Sequence, residues 1–74
     1  MVTVITSPSC QPCRLSKKRL NDLGIEFVER DVSTDEKALE LAKSLGYNSS
    51  PVILLENGEH WQGFRPDRID ALAA

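Results

Sequence analysis

The sequence lacks the features that mark several common protein classes. None of its apolar runs approaches the ~20 residues that a membrane-spanning helix needs. The formal net charge of -2 provides no basic surface for nucleic acid. A chain of 74 residues has no room for a second domain, so we expect one domain over residues 1–74. No basic segment precedes the first apolar stretch, and we therefore expect a cytoplasmic protein with neither membrane nor nucleic-acid partners.

Cysteine and histidine are also scarce. The chain has only Cys10 and Cys13, with Gln11 and Pro12 between them, and a single histidine, His60. A permanent disulfide is rare in the cytoplasm, and one that closes so short a loop restricts the unfolded chain little. Structural zinc normally needs four ligands, and beyond the two thiolates this chain offers only His60 as a nitrogen donor. We expect His60 to be a solvated strand residue. Redox chemistry without a bound metal is therefore favoured. The alternative from another functional class is a module that binds a metal or an iron–sulfur cluster.

The hydrophobic pattern predicts an α/β chain in the order β-α-β-α-β-β-α. The predicted strands cover residues 2–6, 25–30, 52–55 and 59–62, and the predicted helices cover residues 11–23, 33–46 and 66–73. A helix between the first two strands makes them parallel, through a right-handed crossover.

Local signals refine these elements. Ser33 and Glu36 form a capping box that predicts the start of the second helix. The pair Asn57-Gly58 predicts a two-residue type I′ turn between the last two strands. In the second strand, Ile25, Phe27 and Val28 are predicted to face inward.

The two cysteines lie at the predicted junction of the first strand and the first helix. Unpaired N–H groups and the helix dipole stabilise negative charge there, and such a site lowers the pKa of a thiol from its ordinary value of about 8.5. Arg14 and Lys17 add positive charge nearby, and Pro12 stiffens the first turn. We expect an exposed Cys10 to attack a partner's disulfide and a shielded Cys13 to resolve the mixed disulfide.

The first helix also carries a short basic face. Its members are Arg14, Lys17, Lys18 and Arg19. A solvated helix surface is the favoured interpretation, and steering toward an acidic reductase is the second.

Three motifs carry a resemblance to known proteins. The dithiol CQPC after an N-terminal strand and SSPV at residues 49–52 resemble the thioredoxin/glutaredoxin superfamily over nearly the whole chain. HWQGFRPDRI at residues 60–69 resembles the W-S-G-F-R-P-D signature of the NrdH-redoxins, with Gln62 where serine is usual. The resemblance implies a thioredoxin fold, with a four-stranded mixed sheet flanked by three helices. It also implies a cis-proline at Pro51 beside the dithiol, and a docking edge for an extended peptide at Ser50.

The same resemblance implies a groove for the partner protein. Its residues would be Gln11, Pro12, Ser50, Pro51, Trp61, Gly63, Phe64 and Arg65. We expect core packing for at least one of Trp61 and Phe64, and the alternative is an apolar patch for a partner beside the active-site turn. Arg65 and Asp67 are expected either to bridge the loop or to form a solvated pair.

The resemblance further implies the partners. NrdH-redoxins receive electrons from NADPH through a flavin-dependent thioredoxin reductase and pass them to the large subunit of class Ib ribonucleotide reductase. No cofactor bound to the chain itself is expected, and we expect a monomer. A glutathione-dependent glutaredoxin is the nearer alternative. Glutathione-using relatives resemble one another in a glycine pair followed by acidic residues, whereas here Gly63 is followed by Phe64.

Overall fold

Seven elements follow one another in the order β-α-β-α-β-β-α in a computed structural model that describes residues 1–74. The strands are β1 (Val2–Thr6), β2 (Phe27–Asp31), β3 (Val52–Leu54) and β4 (His60–Gln62). The helices are α1 (Gln11–Asp22), α2 (Glu36–Ser44) and α3 (Pro66–Ala73). The order that the hydrophobic pattern predicts is confirmed.

The strands form one mixed sheet in the order β2-β1-β3-β4. β1 is parallel to β2 and antiparallel to β3, and β3 is antiparallel to β4. Val4 in β1 pairs with Glu29 on one side and with Ile53 on the other. Because β1 is a central strand, the chain leaves the middle of the sheet at Thr6 and passes directly into the dithiol segment.

Helices cover both faces of the sheet and give two apolar cores. The first core contains Val4, Leu20, Ile53, Trp61 and Ile69, from the sheet, α1 and α3. The second contains Ile5, Ala38, Ala42 and Val52, from the sheet and α2. Side chains alternate along a strand, so Val4 faces the first core and Ile5 the second. The second core uses small alanines on its helix, and a pocket remains on that face of the sheet.

Helix α1 begins and ends where its proline and glycine predict. Pro12 lies in the first turn, where helices leave backbone N–H groups unpaired in any case. Leu23 is the C-cap, and Gly24 follows it with φ +69°, the left-handed conformation that commonly ends helices. The dithiol is therefore held at the start of a well-bounded helix.

The predicted capping box of Ser33 and Glu36 is wrong. α2 begins at Glu36, but its N-cap is Asp35, whose carboxylate accepts a hydrogen bond from the Ala38 N–H at 3.0 Å. Ser33 donates instead to the Asp31 carboxylate, through both its hydroxyl and its backbone N–H. A carboxylate is a stronger acceptor than a hydroxyl and interacts favourably with the positive end of the helix dipole, which explains why Asp35 takes the cap.

The turn between β3 and β4 also differs from the prediction. A type I′ turn needs left-handed backbone at both central residues, but only Gly58, at φ +92°, adopts it. The Gly58 N–H donates to the Leu55 carbonyl at 3.0 Å, and the Leu55 N–H donates to the Glu59 carbonyl at 2.8 Å. The loop is therefore the three-residue form, residues 56–58. Asn57 stabilises it by accepting a hydrogen bond from the Glu59 N–H at 2.9 Å through its side chain.

Strand β2 starts later than predicted, and the inward orientation of Val28 is wrong. Ile25 precedes the strand and packs against the first core, as Phe27 does. Val28 is 45% exposed. Adjacent residues of a strand face opposite sides, so Phe27 and Val28 cannot both point inward.

Candidate functional site

Cys10 and Cys13 form a disulfide at the start of α1, with their Cα atoms 5.2 Å apart. Cys10 is the N-cap residue and is partly exposed, whereas Cys13 lies inside the helix and is only 2% exposed. The two sulfurs therefore differ in access: a large partner can reach Cys10 but not Cys13.

The helix start directs a backbone donor at the outer sulfur. The Cys13 N–H donates to Cys10 Sγ at 3.1 Å, while the Arg14 N–H donates to the Cys10 carbonyl at 3.3 Å. Pro12 has no N–H, so it adds no unpaired donor to the first turn. When the disulfide is reduced, this donor and the helix dipole favour a negative charge on that sulfur.

The segment before β3 adds a hydroxyl to the same sulfur. Ser50 Oγ donates to Cys10 Sγ at 3.4 Å and also contacts Ser7 Oγ. The peptide bond between Ser50 and Pro51 is cis. The Gly63 N–H donates to the Pro51 carbonyl at 2.9 Å, which joins this segment to the loop after β4. Ser50 and Pro51 thus lie beside the dithiol, where they were predicted.

Backbone strain accompanies the dithiol. Ser9, immediately before Cys10, has φ +57° and is the only residue other than glycine with positive φ. The left-handed conformation is costly for residues with a side chain, and it persists only where the surrounding structure requires it. Here it turns the chain from β1 into α1 and brings Cys10 to the helix start.

A pocket of about 400 Å³ opens beside Cys10 on the α2 face of the sheet. Its floor is apolar and includes Ile5, Ala42 and Val52, and its rim carries hydroxyl, amide and amine groups. The rim residues are Ser7, Ser9, Lys43, Tyr47, Asn48, Ser49 and Ser50. An apolar floor with polar groups around it suits a peptide side chain next to a partner's cysteine.

A second cleft, on the other side of the dithiol, is polar and charged. Lys17 Nζ lies 3.0 Å from Glu29 Oε2, and the Thr6 hydroxyl donates to the same oxygen at 2.9 Å. Asp31 also lines this cleft, and hydrogen bonds from Ser33 hold the pKa of that carboxyl below its ordinary value. Lys17 therefore does not supply an uncompensated positive charge to Cys10, because Glu29 balances it.

Metal-ligating side chains do not cluster anywhere in residues 1–74: no group of three or more His, Cys, Asp and Glu residues could hold an ion. His60, which was predicted to be solvated, is in fact partly buried. Its Nδ1 shares a hydrogen bond of 2.8 Å with the Tyr47 hydroxyl, and the two rings meet edge to face with centroids 5.4 Å apart. None of the three helices is long and apolar enough to cross a membrane.

Comparison with known proteins agrees with this geometry. The glutaredoxin family profile matches residues 2–61. The gene 56 protein of Mycobacterium phage L5 is 36% identical over 72 residues, which are 96% of this chain and 70% of that protein. The glutaredoxin-like protein NrdH of Lactococcus lactis is 32% identical over 73 residues, 99% of this chain and 100% of the relative. The solved structure of the glutaredoxin-like NrdH-redoxin of Escherichia coli matches with a TM-score of 0.89 at 30% identity, over 96% of this chain and 92% of that one.

The chain belongs to the glutaredoxin family. It is a glutaredoxin-like protein of the NrdH type with the thioredoxin fold, and its redox centre is the CxxC pair. The family resemblance that the sequence carries is thereby confirmed.

Not every residue predicted for the groove of this glutaredoxin-like protein lies in it. Trp61 is only 3% exposed and packs in the first core, with the Arg68 guanidinium 4.7 Å above its ring. Phe64 is partly buried against the same core. The assignment of Trp61 to the groove surface is therefore wrong in this conformation, because its side chain lies on the face of the sheet opposite the pocket.

Arg65 also lies apart from the dithiol. It binds Asp67 through two hydrogen bonds of 3.2 and 3.0 Å, and both side chains are exposed. Each partner shifts the other: the pKa of Arg65 is raised and that of Asp67 is lowered. The pair is the solvated alternative, at the start of α3, and it does not reach across to Cys10.

The basic face of α1 is mostly neutralised by its neighbours. Lys18 pairs with Asp22 at 2.9 Å, and Arg19 forms two hydrogen bonds with Asp70 in α3. Only Arg14 has no ion-pair partner; its guanidinium contacts the side-chain amide oxygen of the exposed Gln11. These contacts support the interpretation of a solvated face.

Sequence reasoning missed Ser7, Tyr47 and Ser49, which line the pocket. Ser7 precedes the dithiol in SPSCQPC, so its proximity could have been inferred from the motif. Ser49 belongs to the SSPV motif, so its proximity could have been inferred in the same way. Tyr47 carries no comparable signal, because it reaches the site only through the packing of the segment between α2 and β3.

Proposed function

We propose that the protein is a dithiol hydrogen donor that reduces disulfides in other proteins. In this proposal electrons pass from NADPH through a flavin-dependent thioredoxin reductase to the Cys10–Cys13 pair, and then to the large subunit of class Ib ribonucleotide reductase. The protein acts as a cytoplasmic monomer without a bound cofactor of its own.

The observation that carries the proposal is the difference in exposure between the two sulfurs. Cys10 is partly exposed and receives hydrogen bonds from the Cys13 N–H and the Ser50 hydroxyl, while Cys13 is 2% exposed. An attacking thiolate needs access and stabilisation of its charge, and a resolving thiol needs only to reach its neighbour. The two positions match these two needs.

The exchange proceeds in two steps that balance. The Cys10 thiolate attacks one sulfur of the partner disulfide, a mixed disulfide forms, and the other partner sulfur leaves as a thiolate that takes up a proton. Cys13 then loses its proton and attacks Cys10 Sγ, which releases the second partner thiol and leaves the Cys10–Cys13 disulfide seen here. The partner gains two electrons and two protons. The reductase later returns two electrons to the pair.

The relatives support the choice of reductase. The NrdH-redoxin of Escherichia coli has a thioredoxin-like activity profile. This chain also has Phe64 after Gly63, where glutathione-using glutaredoxins have a second glycine. Both points favour a thioredoxin reductase over glutathione as the electron source.

Glutathione is the second candidate donor, because the matching family profile is that of glutaredoxin. A direct comparison separates the two. The oxidised protein is incubated with a protein disulfide such as insulin and with NADPH, together with either thioredoxin reductase or glutathione and its reductase. We expect NADPH oxidation with thioredoxin reductase and none above background with glutathione. Turnover with glutathione alone would contradict the choice of reductase.

Trapping identifies the protein that receives the electrons. In Cys13→Ser the first step still occurs but the second cannot, so a mixed disulfide through Cys10 should accumulate with the large subunit of ribonucleotide reductase. Cys10→Ser is the matched control and should trap nothing. A partner held by anything other than a disulfide to Cys10, or equal trapping by Cys10→Ser, would refute the assignment of Cys10 as the attacking sulfur.

A further inference from the structure

The segment 47–51, between α2 and β3, brings Ser50 to the dithiol. Asn48, Ser49 and Ser50 form no backbone-to-backbone hydrogen bond, since they lie outside the helices and strands and make no loop bond of that kind. The position of the Ser50 hydroxyl therefore depends on the side chains that hold the segment in place.

Two side chains of β4 hold it. His60 Nδ1 bonds with the Tyr47 hydroxyl at 2.8 Å. Gln62 Nε2 donates to the Ser49 carbonyl at 3.4 Å and contacts the Ser49 hydroxyl. Residues 60 and 62 share one face of the strand, while Trp61 between them faces the opposite core. The alternation of the strand thus directs both side chains at this segment.

Of these two side chains, Gln62 is separated from the dithiol by fewer contacts, because it binds Ser49, the neighbour of Ser50. It is paired in register with Val52, so its backbone is fixed by the β3–β4 ladder, and its amide reaches Ser49, the residue before Ser50. The side chain of a serine, the usual residue of the signature at this position, is much shorter and does not extend as far along the same path. The departure of this chain from the signature therefore adds a contact beside the site.

We propose that Gln62 is a positioning residue for the attacking sulfur. It holds Ser49 so that the Ser50 hydroxyl remains within hydrogen-bonding distance of Cys10 Sγ, which is 3.4 Å in the oxidised form. A hydrogen bond to an ionised sulfur stabilises the thiolate, since charged acceptors form the stronger bonds. The inference rests on the proposed function, because it concerns how readily Cys10 attacks.

The test is the pH profile of Cys10 alkylation in the fully reduced protein, measured by peptide mass after short exposure to iodoacetamide. In Gln62→Ala we expect the midpoint of the profile to move to higher pH. The rate at pH 7 should fall by about three- to tenfold, as expected when a hydrogen bond to a charged group is partly lost. Glu59→Ala is the matched control: Glu59 is exposed, precedes β4 and makes only backbone hydrogen bonds, and its profile should match that of the unaltered protein.

A double variant tests the route through Ser50. Ser50→Ala alone should shift the profile in the same direction as Gln62→Ala. If Gln62 acts through Ser50, the combined variant should shift no further than Ser50→Ala, because coupled residues are not additive. Additive shifts would overturn the route.

Folding and function are separated by two further measurements. Gln62→Ser, which restores the usual residue of the signature, provides a second variant if Gln62→Ala unfolds at lower temperature by circular dichroism, and it should show the same direction of shift. An unchanged profile in the folded variants overturns this inference and leaves the proposed function standing. Alkylation of the unaltered protein at Cys13 rather than Cys10, or at neither, overturns the proposed function itself.

Discussion

The first two helices begin with the same geometry but with different capping atoms. Cys10 and Asp35 both have extended backbone before their helices, and each accepts a hydrogen bond from the N–H three residues later, at 3.1 Å for the sulfur and 3.0 Å for the carboxylate. A carboxylate is a charged acceptor at all but acidic pH, whereas the sulfur of a disulfide is a weak one. The start of α2 is thus satisfied permanently, while the start of α1 is left able to stabilise charge when the disulfide is reduced.

The side chains that bind the two capping atoms also differ in charge. Arg30 binds Asp35 through two hydrogen bonds of 2.8 and 3.2 Å, which anchor α2 to β2. Besides the Cys13 N–H, Cys10 Sγ receives a hydrogen bond from the neutral hydroxyl of Ser50, at 3.4 Å, and from no charged group. One helix start is therefore built for stability and the other for a sulfur that changes its charge and its bonds.

The largest expected effect is that of Cys10→Ser. Serine caps helices well, so the free energy of unfolding of the variant should equal or exceed that of the reduced unaltered protein. Disulfide reduction should nevertheless be lost completely, because the attacking sulfur is absent. Chemical denaturation under reducing conditions and the coupled NADPH assay measure the two quantities.

For that variant, a reduced stability together with the loss of activity would contradict the comparison. It would mean that the sulfur at the N-cap contributes to the fold in a way that a hydroxyl cannot replace.

A smaller effect is expected for Asp35→Ala, which should lower the stability of the fold and leave the reactivity of Cys10 unchanged. Removing a carboxylate cap should lower the melting temperature by about 4 to 8 °C in a domain of this size. The alkylation profile of Cys10 should not change, because Asp35 lies outside both the pocket and the cleft beside the dithiol. A changed profile with unchanged stability would reverse the roles assigned to the two helix starts.

The smallest effect concerns pH. Hydrogen bonds from Arg30 hold the pKa of Asp35 below its ordinary value of 3.8. The charged carboxylate therefore contributes stability above pH 3.8, and this contribution is lost as the pH falls through the lowered pKa of the folded state.

Asp35→Asn isolates this contribution, since asparagine retains a capping oxygen but not the charge. Its deficit in melting temperature relative to the unaltered protein should be smaller than that of Asp35→Ala at neutral pH, and should shrink as the pH falls below 3.8. A deficit that does not change with pH would show that the charge of Asp35 plays no part at the start of α2. The remaining carboxylates are common to both proteins, so their own titration cancels in the difference.

Much of the fold could be predicted from residues close together in the chain. Pro12 and Gly24 bound α1, Pro66 begins α3, and the alternation of apolar residues gives the strands in their order. These signals act through the backbone conformation of one residue or through a local repeat, so tertiary contacts seldom override them.

Local signals failed at two places where the outcome depended on specific hydrogen bonds. Ser33 and Asp35 are both acceptable caps, and the ion pair with Arg30 favours Asp35. Asn57 was expected inside a two-residue turn, but its side chain bonds with the Glu59 N–H and the loop is longer. Choosing between such alternatives requires the energies of contacts that the pattern does not contain.

The sequence by itself determined the order of the elements and the placement of Cys10 and Cys13 at a helix start, because the spacing and the proline between them act over a single turn. The family resemblance placed Ser50 and Pro51 beside the dithiol, and only the tertiary structure decided which side chains contact the outer sulfur and hold that segment. Ser50, Tyr47 and Gln62 are far from the dithiol in the chain and reach its neighbourhood because β3 returns beside β1 and β4 pairs with β3. Side chains brought together by strand pairing leave no periodic trace in the sequence. Trp61, one residue from Gln62, faces the opposite core because side chains alternate along a strand, and only the paired sheet shows which core each face meets.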